Sequence, residues 1–163
     1  MSEISLKVAT WQDWQTGKTL RILPDPLEYE KYSEKELDAR QERDWWNVKV
    51  RNGKVIIYSI MHASLGMIGF IRAHNINKAK LRCDIDIEIL DCANYNKGYA
   101  FITGQDFLHI LTNQYHIHHY RAMIHPKDER GIKLFTKLEF RQDGEFVDPD
   151  EPEKIYLKYI KSI

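Results

Sequence analysis

The chain has 163 residues, 43% of them hydrophobic and 29% charged, a composition that suits one domain with a sizeable core. Lys plus Arg and Asp plus Glu each number 24, so the formal net charge is zero and the long-range steering of a generic nucleic-acid binder is not expected. No apolar run approaches about 18 residues, and the opening Met-Ser-Glu-Ile-Ser-Leu has neither a basic nor an apolar stretch, so neither a membrane span nor a signal peptide is expected. Cys83 and Cys92 lack metal-ligand spacing and read as reduced thiols of a cytoplasmic protein.

Ser5 to Ala9 reads as an edge strand. Thr10-Trp11-Gln12-Asp13 fits a capping box, which predicts a short helix from Trp11. The two prolines of Leu23-Pro24-Asp25-Pro26 break the chain. Asp25 is a candidate cap for a second helical region, Leu27 to about Trp45, crowded with charge from Glu28 to Arg43. That region is either a solvated face or an arm bordering an acceptor site. Trp46 to Arg51 reads as a strand that turns at Asn52-Gly53 into another, Val55 to Met61. A turn at His62-Ala63-Ser64, a strand over Gly66 to Arg72 and a polar turn from Asn75 to Lys78 follow.

The strand from Leu81 to Leu90 alternates strictly. Asp84, Asp86 and Glu88 fall on one face and Ile85, Ile87 and Ile89 on the other. Three carboxylates in a row repel each other in an apolar core, so the stripe is expected to meet solvent or a polar cleft. In a cleft, one of them has the chemistry of a general base for an amine.

Next comes Asn94-Tyr95-Asn96-Lys97-Gly98-Tyr99-Ala100, a loop between that strand and a helix predicted from Tyr99 to Tyr115. The first N–H groups of a helix have no partner inside it and carry partial positive charge, so such a loop suits an anion. Gly98 lets a phosphate approach the backbone, and Lys97 adds a full charge. On the helix, Phe101, Gly104, Leu108 and Leu111 share a face. His118 to Ile124 reads as a strand. His116, His118 and His119 have no further ligand nearby in sequence, so no metal site is expected. Asp128 suits the N-cap of a helix bearing Ile132, Phe135 and Leu138 at helical spacing. Asp143-Gly144 reads as a turn, Asp148 to Pro152 as a loop, and Ile155 to Ile160 as a closing strand.

Two of these runs carry a family resemblance. Tyr95 to Ala100 resembles the pyrophosphate loop of the GNAT (Gcn5-related N-acetyltransferase) superfamily, usually Gln/Arg-x-x-Gly-x-Gly/Ala. Tyr95 stands where Gln or Arg is usual, which is similar to the branch that modifies ribosomal-protein N-termini. About 30 residues later, Asp128 to Phe140 resembles the last motif of the superfamily, Asn-x-x-Ala-x-x-Leu-Tyr-x-Lys-Leu-Gly-Phe. Leu134, Lys137, Leu138 and Phe140 fit it. Asp128 replaces the Asn, Gly131 the Ala, Phe135 the Tyr and Glu139 the Gly. The resemblance runs from about Val55 to Phe146, with a fainter match at Leu6 to Trp14.

The resemblance implies one mixed α/β domain over residues 1–163, with a central, mostly antiparallel sheet flanked by helices. It implies acetyl-CoA as co-substrate and direct transfer to an amine on a small molecule, a protein N-terminus or a lysine. Pantetheine would pair along Ile87 to Leu90, with a backbone N–H near Ile89 polarising the thioester. Tyr95, Asn96, Lys97, Gly98, Tyr99 and Ala100 would hold the pyrophosphate, with Asp128 and Phe135 also at the co-substrate. Asp84 falls near the position of the base in histone-type members and Glu88 nearest the acetyl group, so these two are the candidate catalytic residues. Homodimers are common in the superfamily. Phe135 has no phenolic proton for a leaving thiolate. That task falls to water, Tyr99 or Tyr120, or the domain is a weak or inactive catalyst that binds CoA, an acyl-CoA or a protein partner.

Overall fold

The computed structural model describes residues 3–22 and 38–163. The expected cap at Asp25 and the start of its helix lie outside the described residues. Strand β1 (Ile4–Val8) leads into helix α1 (Trp11–Leu20). The capping box forms as expected. The Asp13 N–H donates to Thr10 Oγ1 (3.1 Å) and the Thr10 N–H donates to Asp13 Oδ2 (3.0 Å). Helix α2 (Ala39–Trp45) opens with a second box, made by Asp38 and Gln41.

The strand expected over Trp46 to Arg51 is not formed. The chain instead continues α2 as a π-helical turn, Trp46–Val50, closed by the Arg51 N–H on Trp46 O (3.1 Å). Packing overrides the β propensity of Val48 and Val50 here. Trp46 is buried, and its ring lies 5.6 Å from that of Trp11 and 6.2 Å from that of Trp14. Asn52-Gly53 therefore ends a helix, with Gly53 at φ 70°, and makes no hairpin.

Strands β2 (Ile56–His62), β3 (Gly66–Asn77) and β4 (Arg82–Ile89) form an antiparallel meander. Strand β3 outruns its expected end, so the turn moves to residues 78–81. Helix α3 (Tyr99–Gln114), strand β5 (His119–Ile124), helix α4 (Glu129–Lys137) and strands β6 (Arg141–Val147) and β7 (Ile155–Ser162) complete the order. Among the described residues the sheet runs β1-β2-β3-β4-β5-β7-β6, and β4–β5 is its one parallel strand pair. This is the mixed, mostly antiparallel sheet that was expected, with two differences. Strand β7 is inserted between β5 and β6, and Asp143-Gly144 is a bulge within β6, where the register shifts between Gln142 and Glu145.

Each face of the sheet has its own core. Ile60, Ile71, Ile85, Tyr120 and Ala122 pack under α3 and α4 with Phe107, Leu111 and Phe135. On the other face Phe70 and Leu90 meet the four tryptophans, Trp11, Trp14, Trp45 and Trp46. Buried Glu42 ties α2 to α1, accepting from Trp14 Nε1 (2.9 Å) and pairing with Lys18. Gly17 sets the height of α1, because a Cβ there would overlap the Phe70 ring.

Gly17→Ala improves helix propensity by about 1 kcal/mol, yet overpacking of this kind costs about 1–3 kcal/mol. The variant is therefore expected to unfold at lower urea concentration than the parent. An unchanged or raised midpoint would show that α1 does not rest on Phe70.

Candidate active site

The sheet splits along one line. Strands β4 and β5 share three rungs, Arg82↔His119, Cys83↔Tyr120 and Asp84↔Arg121. Beyond them β4 keeps its partner β3 as far as Ile89↔Gly69, and β5 keeps β7 as far as Ile124↔Leu157. The two strands thus part after Asp84 and leave a notch. At its vertex Arg121 grips Asp84 with two bonds, Nε to Oδ1 (2.7 Å) and a terminal guanidinium nitrogen to Oδ2 (3.0 Å). Asn75 Nδ2 adds a third donor at 3.0 Å.

Backbone parity decides what faces the notch. The Leu90 N–H donates to Ile68 O (2.9 Å), so even-numbered residues of β4 turn their N–H and C=O groups toward β3. Alternation turns those of Ile85, Ile87 and Ile89 toward β5; Ile85 closes the last shared rung, and the groups of Ile87 and Ile89 open into the notch. Leu90 is different. Its N–H is taken by Ile68, its C=O accepts from the Ile22 N–H (2.7 Å), and its side chain is buried. The expected pairing edge therefore ends at Ile89, because both polar groups of Leu90 are already used.

A 3₁₀ turn, Cys92–Asn94, carries the chain from β4 to the loop at the mouth of the notch. Asn96 (φ 60°) and Gly98 (φ 81°) are both left-handed. Gly98 is the N-cap of α3, has no side-chain cap bond, and has open space where a Cβ would stand. The Ile102 N–H is the donor that Gly98 O receives (3.1 Å), which leaves the earlier N–H groups of α3 without a bond inside the helix.

The acidic stripe lies on the tryptophan face, and the structure gives each carboxylate a cation. Asp84 has Arg121. Asp86 Oδ2 is 2.9 Å from both Arg72 Nε and His74 Nε2. Burial alone raises the Asp86 carboxyl, but the His74 hydrogen bond and the Arg72 charge outweigh it and hold the group well below the usual carboxylate range. Glu88, exposed at the open end, meets Arg21 Nε at 2.6 Å. Tyr95 stands beside this pair with Arg130 stacked 4.1 Å over its ring. Burial and the nearby charges of Glu88 and Asp128 raise its phenol.

The sequence profile of the acetyltransferase (GNAT) domain matches residues 5–141. The chain belongs to the GNAT acetyltransferase family. No curated protein gives a significant sequence match. Among solved structures, spermidine N-acetyltransferase from Vibrio cholerae in complex with CoA and spermine superposes with a TM-score of 0.80 at 14% identity, covering 99% of this chain and 96% of that one. A dodecameric intermediate-state structure of the same enzyme gives 0.77 at 15%, covering 99% and 95%. A domain from Methanocaldococcus jannaschii gives 0.77 at 17%, covering 100% of both chains.

As a GNAT domain the protein is an N-acetyltransferase with acetyl-CoA as co-substrate. The residues present fit that group: the start of α3 without a side-chain cap, the open side of Gly98, Lys97 beside it, and β4 backbone in the notch that has no strand partner among the described residues. The other expected site residues separate into distinct places. Asp128 caps α4, accepting from the Gly131 N–H (3.1 Å). Phe135 is buried, with its ring 5.0 Å from Phe140, and belongs to the core. Neither hydroxyl considered in its stead faces the notch. Tyr99 Oη lies 3.3 Å from His62 Nε2 on β2, two strands away from it. Tyr120 is buried, bonded to Thr112 Oγ1 (2.6 Å) and to Ile117 O, and burial pushes its phenol up to about 12. Asp84 does not have the surroundings of a base, since three donors occupy its oxygens. Arg21, Arg72 and Arg121 escaped the sequence reading because nothing local to them names a partner.

Asp86 has a depressed pKa in the folded chain, so its stabilisation is complete above the unfolded carboxylate value of ~4 and fades as the pH falls below it. Asp86→Asn is expected to cost about 1–3 kcal/mol at pH 7. Denaturant titrations at pH 7 and at low pH should show the gap from the parent closing in acid. A gap of constant size would mean that the carboxylate's charge does no stabilising.

Proposed function

We propose that the protein transfers the acetyl group of acetyl-CoA directly to a primary amine, with Glu88 as general base. The observation that carries this reading is the notch, which presents the backbone of Ile87 and Ile89 beside an uncapped helix start. The backbone of Ile87 and Ile89 would hold the pantetheine arm, and the Ile89 N–H would polarise the thioester carbonyl. Backbone N–H groups from Asn96 to Ala100, with Lys97, would hold the pyrophosphate. Acetyl-CoA supplies an activated acetyl thioester. Glu88 is the β4 carboxylate nearest the far end of the notch and is partly exposed, so an amine from solvent reaches it. Its carboxylate takes the proton that the ammonium must lose before attack.

A second reading, a domain that binds CoA but transfers slowly, is favoured by one observation. Phe135 offers no proton, and the hydroxyls of Tyr99 and Tyr120 are engaged elsewhere. Water from the open end is then the remaining source of a proton for the thiolate.

Thermal unfolding with ~1 mM CoA tests the site itself. A ligand present at ~100 Kd stabilises the native state by roughly 2.7 kcal/mol, so a clear rise in Tm is expected, and an absent shift would remove the assignment. Glu88→Gln separates the two readings in a thiol-release assay. If Glu88 is the base, kcat falls by about 10²–10⁴-fold while the CoA shift persists. An unchanged kcat would leave Glu88 without that role.

A further inference from the structure

The tryptophan face of β4 carries three carboxylates, and each already faces a cation of the protein itself. Both oxygens of Asp84 are taken by Arg121 and Asn75, and Asp86 has Arg72 and His74 on its Oδ2. Glu88, the proposed base, faces Arg21 at 2.6 Å. The placement of Arg21 is built into the fold. Phe70 and Glu88 are cross-strand partners and so share a face of the sheet. Gly17 lets α1 lie directly on Phe70. Arg21 follows one helical turn later, which brings it over Glu88. Immediately after it, the backbone of Ile22 is bonded on both sides, its N–H to Leu90 O (2.7 Å) and its C=O from the Cys92 N–H (2.8 Å). Arg21 is thus held at the open end of the notch by its neighbours, while its side chain stays 44% exposed.

We propose that Arg21 is a specificity-determining residue and that the acceptor is an amine carrying a carboxylate close to its amino group. This rests on the acetyl-transfer reading above. An incoming ammonium meets Arg21 already on Glu88 Oε1 and competes with it for the carboxylate. A polyamine offers the displaced guanidinium nothing, and adds cations to a face whose acidic groups are already neutralised. A zwitterionic amine exchanges one ion pair for two. Its carboxylate takes the Arg21 guanidinium, a planar fork suited to that group, and its ammonium takes Glu88. The Arg21–Glu88 pair is exposed, and such pairs open readily. Both sides of the exchange therefore lie within one side-chain length of the reacting end of the notch.

The test is a panel of acceptors assayed by thiol release from acetyl-CoA. It pairs an α-amino acid with the amine that lacks its carboxylate, pairs a dipeptide with an acidic second residue with its neutral counterpart, and includes spermidine. The parent enzyme is expected to favour a carboxylate-bearing member of a pair at least tenfold in kcat/KM, and the two pairs tell a free amino acid from an acidic peptide terminus. Arg21→Gln should collapse that ratio toward unity by raising KM for the anionic acceptor, with the KM for acetyl-CoA unchanged. Arg21→Lys should restore part of the ratio. Preference for spermidine or for the neutral amines, or a ratio that Arg21→Gln leaves intact, would overturn the proposal, as would a panel in which nothing is acetylated. The CoA thermal shift separates the two levels: a shift with the wrong preference removes this inference alone, whereas no shift removes the acetyl-transfer reading beneath it.

Discussion

The site depends on a disagreement between two neighbouring strands, held at one rung by the Asp84–Arg121 ion pair. Up to that rung β4 and β5 behave as an ordinary parallel pair. Beyond it each strand is committed to its outer neighbour, β4 to β3 and β5 to β7, and nothing draws them back together. A buried carboxylate is costly unless its oxygens are met, and Asp84 has three donors on its two oxygens, one from β3 and two from β5. The vertex is therefore a fixed point from which the strands diverge. Among the described residues, divergence leaves the peptide groups of Ile87 and Ile89 without a strand partner in the middle of a sheet. Such groups need water or a ligand with matching donors and acceptors. The notch is a consequence of topology, and any extended amide-bearing ligand is chemically suited to it.

Much of this was legible locally. Capping boxes work over three residues, so Thr10 with Asp13 and the cap at Asp128 could be read from spacing alone. The alternation of β4 was equally local, and it placed the acidic stripe on one face. What alternation cannot supply is the identity of the counter-charges. Arg72 comes from β3, Arg121 from β5 and Arg21 from α1, and no periodicity links them to their partners. The expectation of a mutually repelling stripe that needs a cleft or solvent was thus half of the electrostatics. The other half arrives only when the chain folds.

The misread segment, Trp46 to Val50, failed for a related reason. Its Val and Trp residues fit a strand by propensity, and Asn-Gly after them fits a hairpin. The deciding contacts are with Trp11 and Trp14 on α1, more than thirty positions away. The same aromatic cluster covers Phe70 and Leu90, which places α1 over the open end of β4. The segment least legible in the sequence thus packs against the helix that brings Arg21 to Glu88.

The departures in the last motif show which family positions build architecture and which do chemistry. Asp128 keeps the capping oxygen, and Gly131 leaves it room, since a Cβ at 131 would press on that carboxylate. Glu139 adopts φ 67° where the family pattern has Gly, so the helix still ends in a left-handed turn, at a steric cost that Gly avoids. Phe135 keeps the ring and the burial of the usual Tyr and loses only the hydroxyl. Three of the four replacements leave α4 capped, terminated and packed as the motif requires. The fourth removes a proton donor and nothing else. Fold and co-substrate site are thereby uncoupled from the protonation of the leaving thiolate. A CoA thiolate is itself a fair leaving group, so in the proposed reaction the missing phenol bears on protonation of the thiolate, while in the proposed acceptor site Glu88 and Arg21 bear on which amine enters.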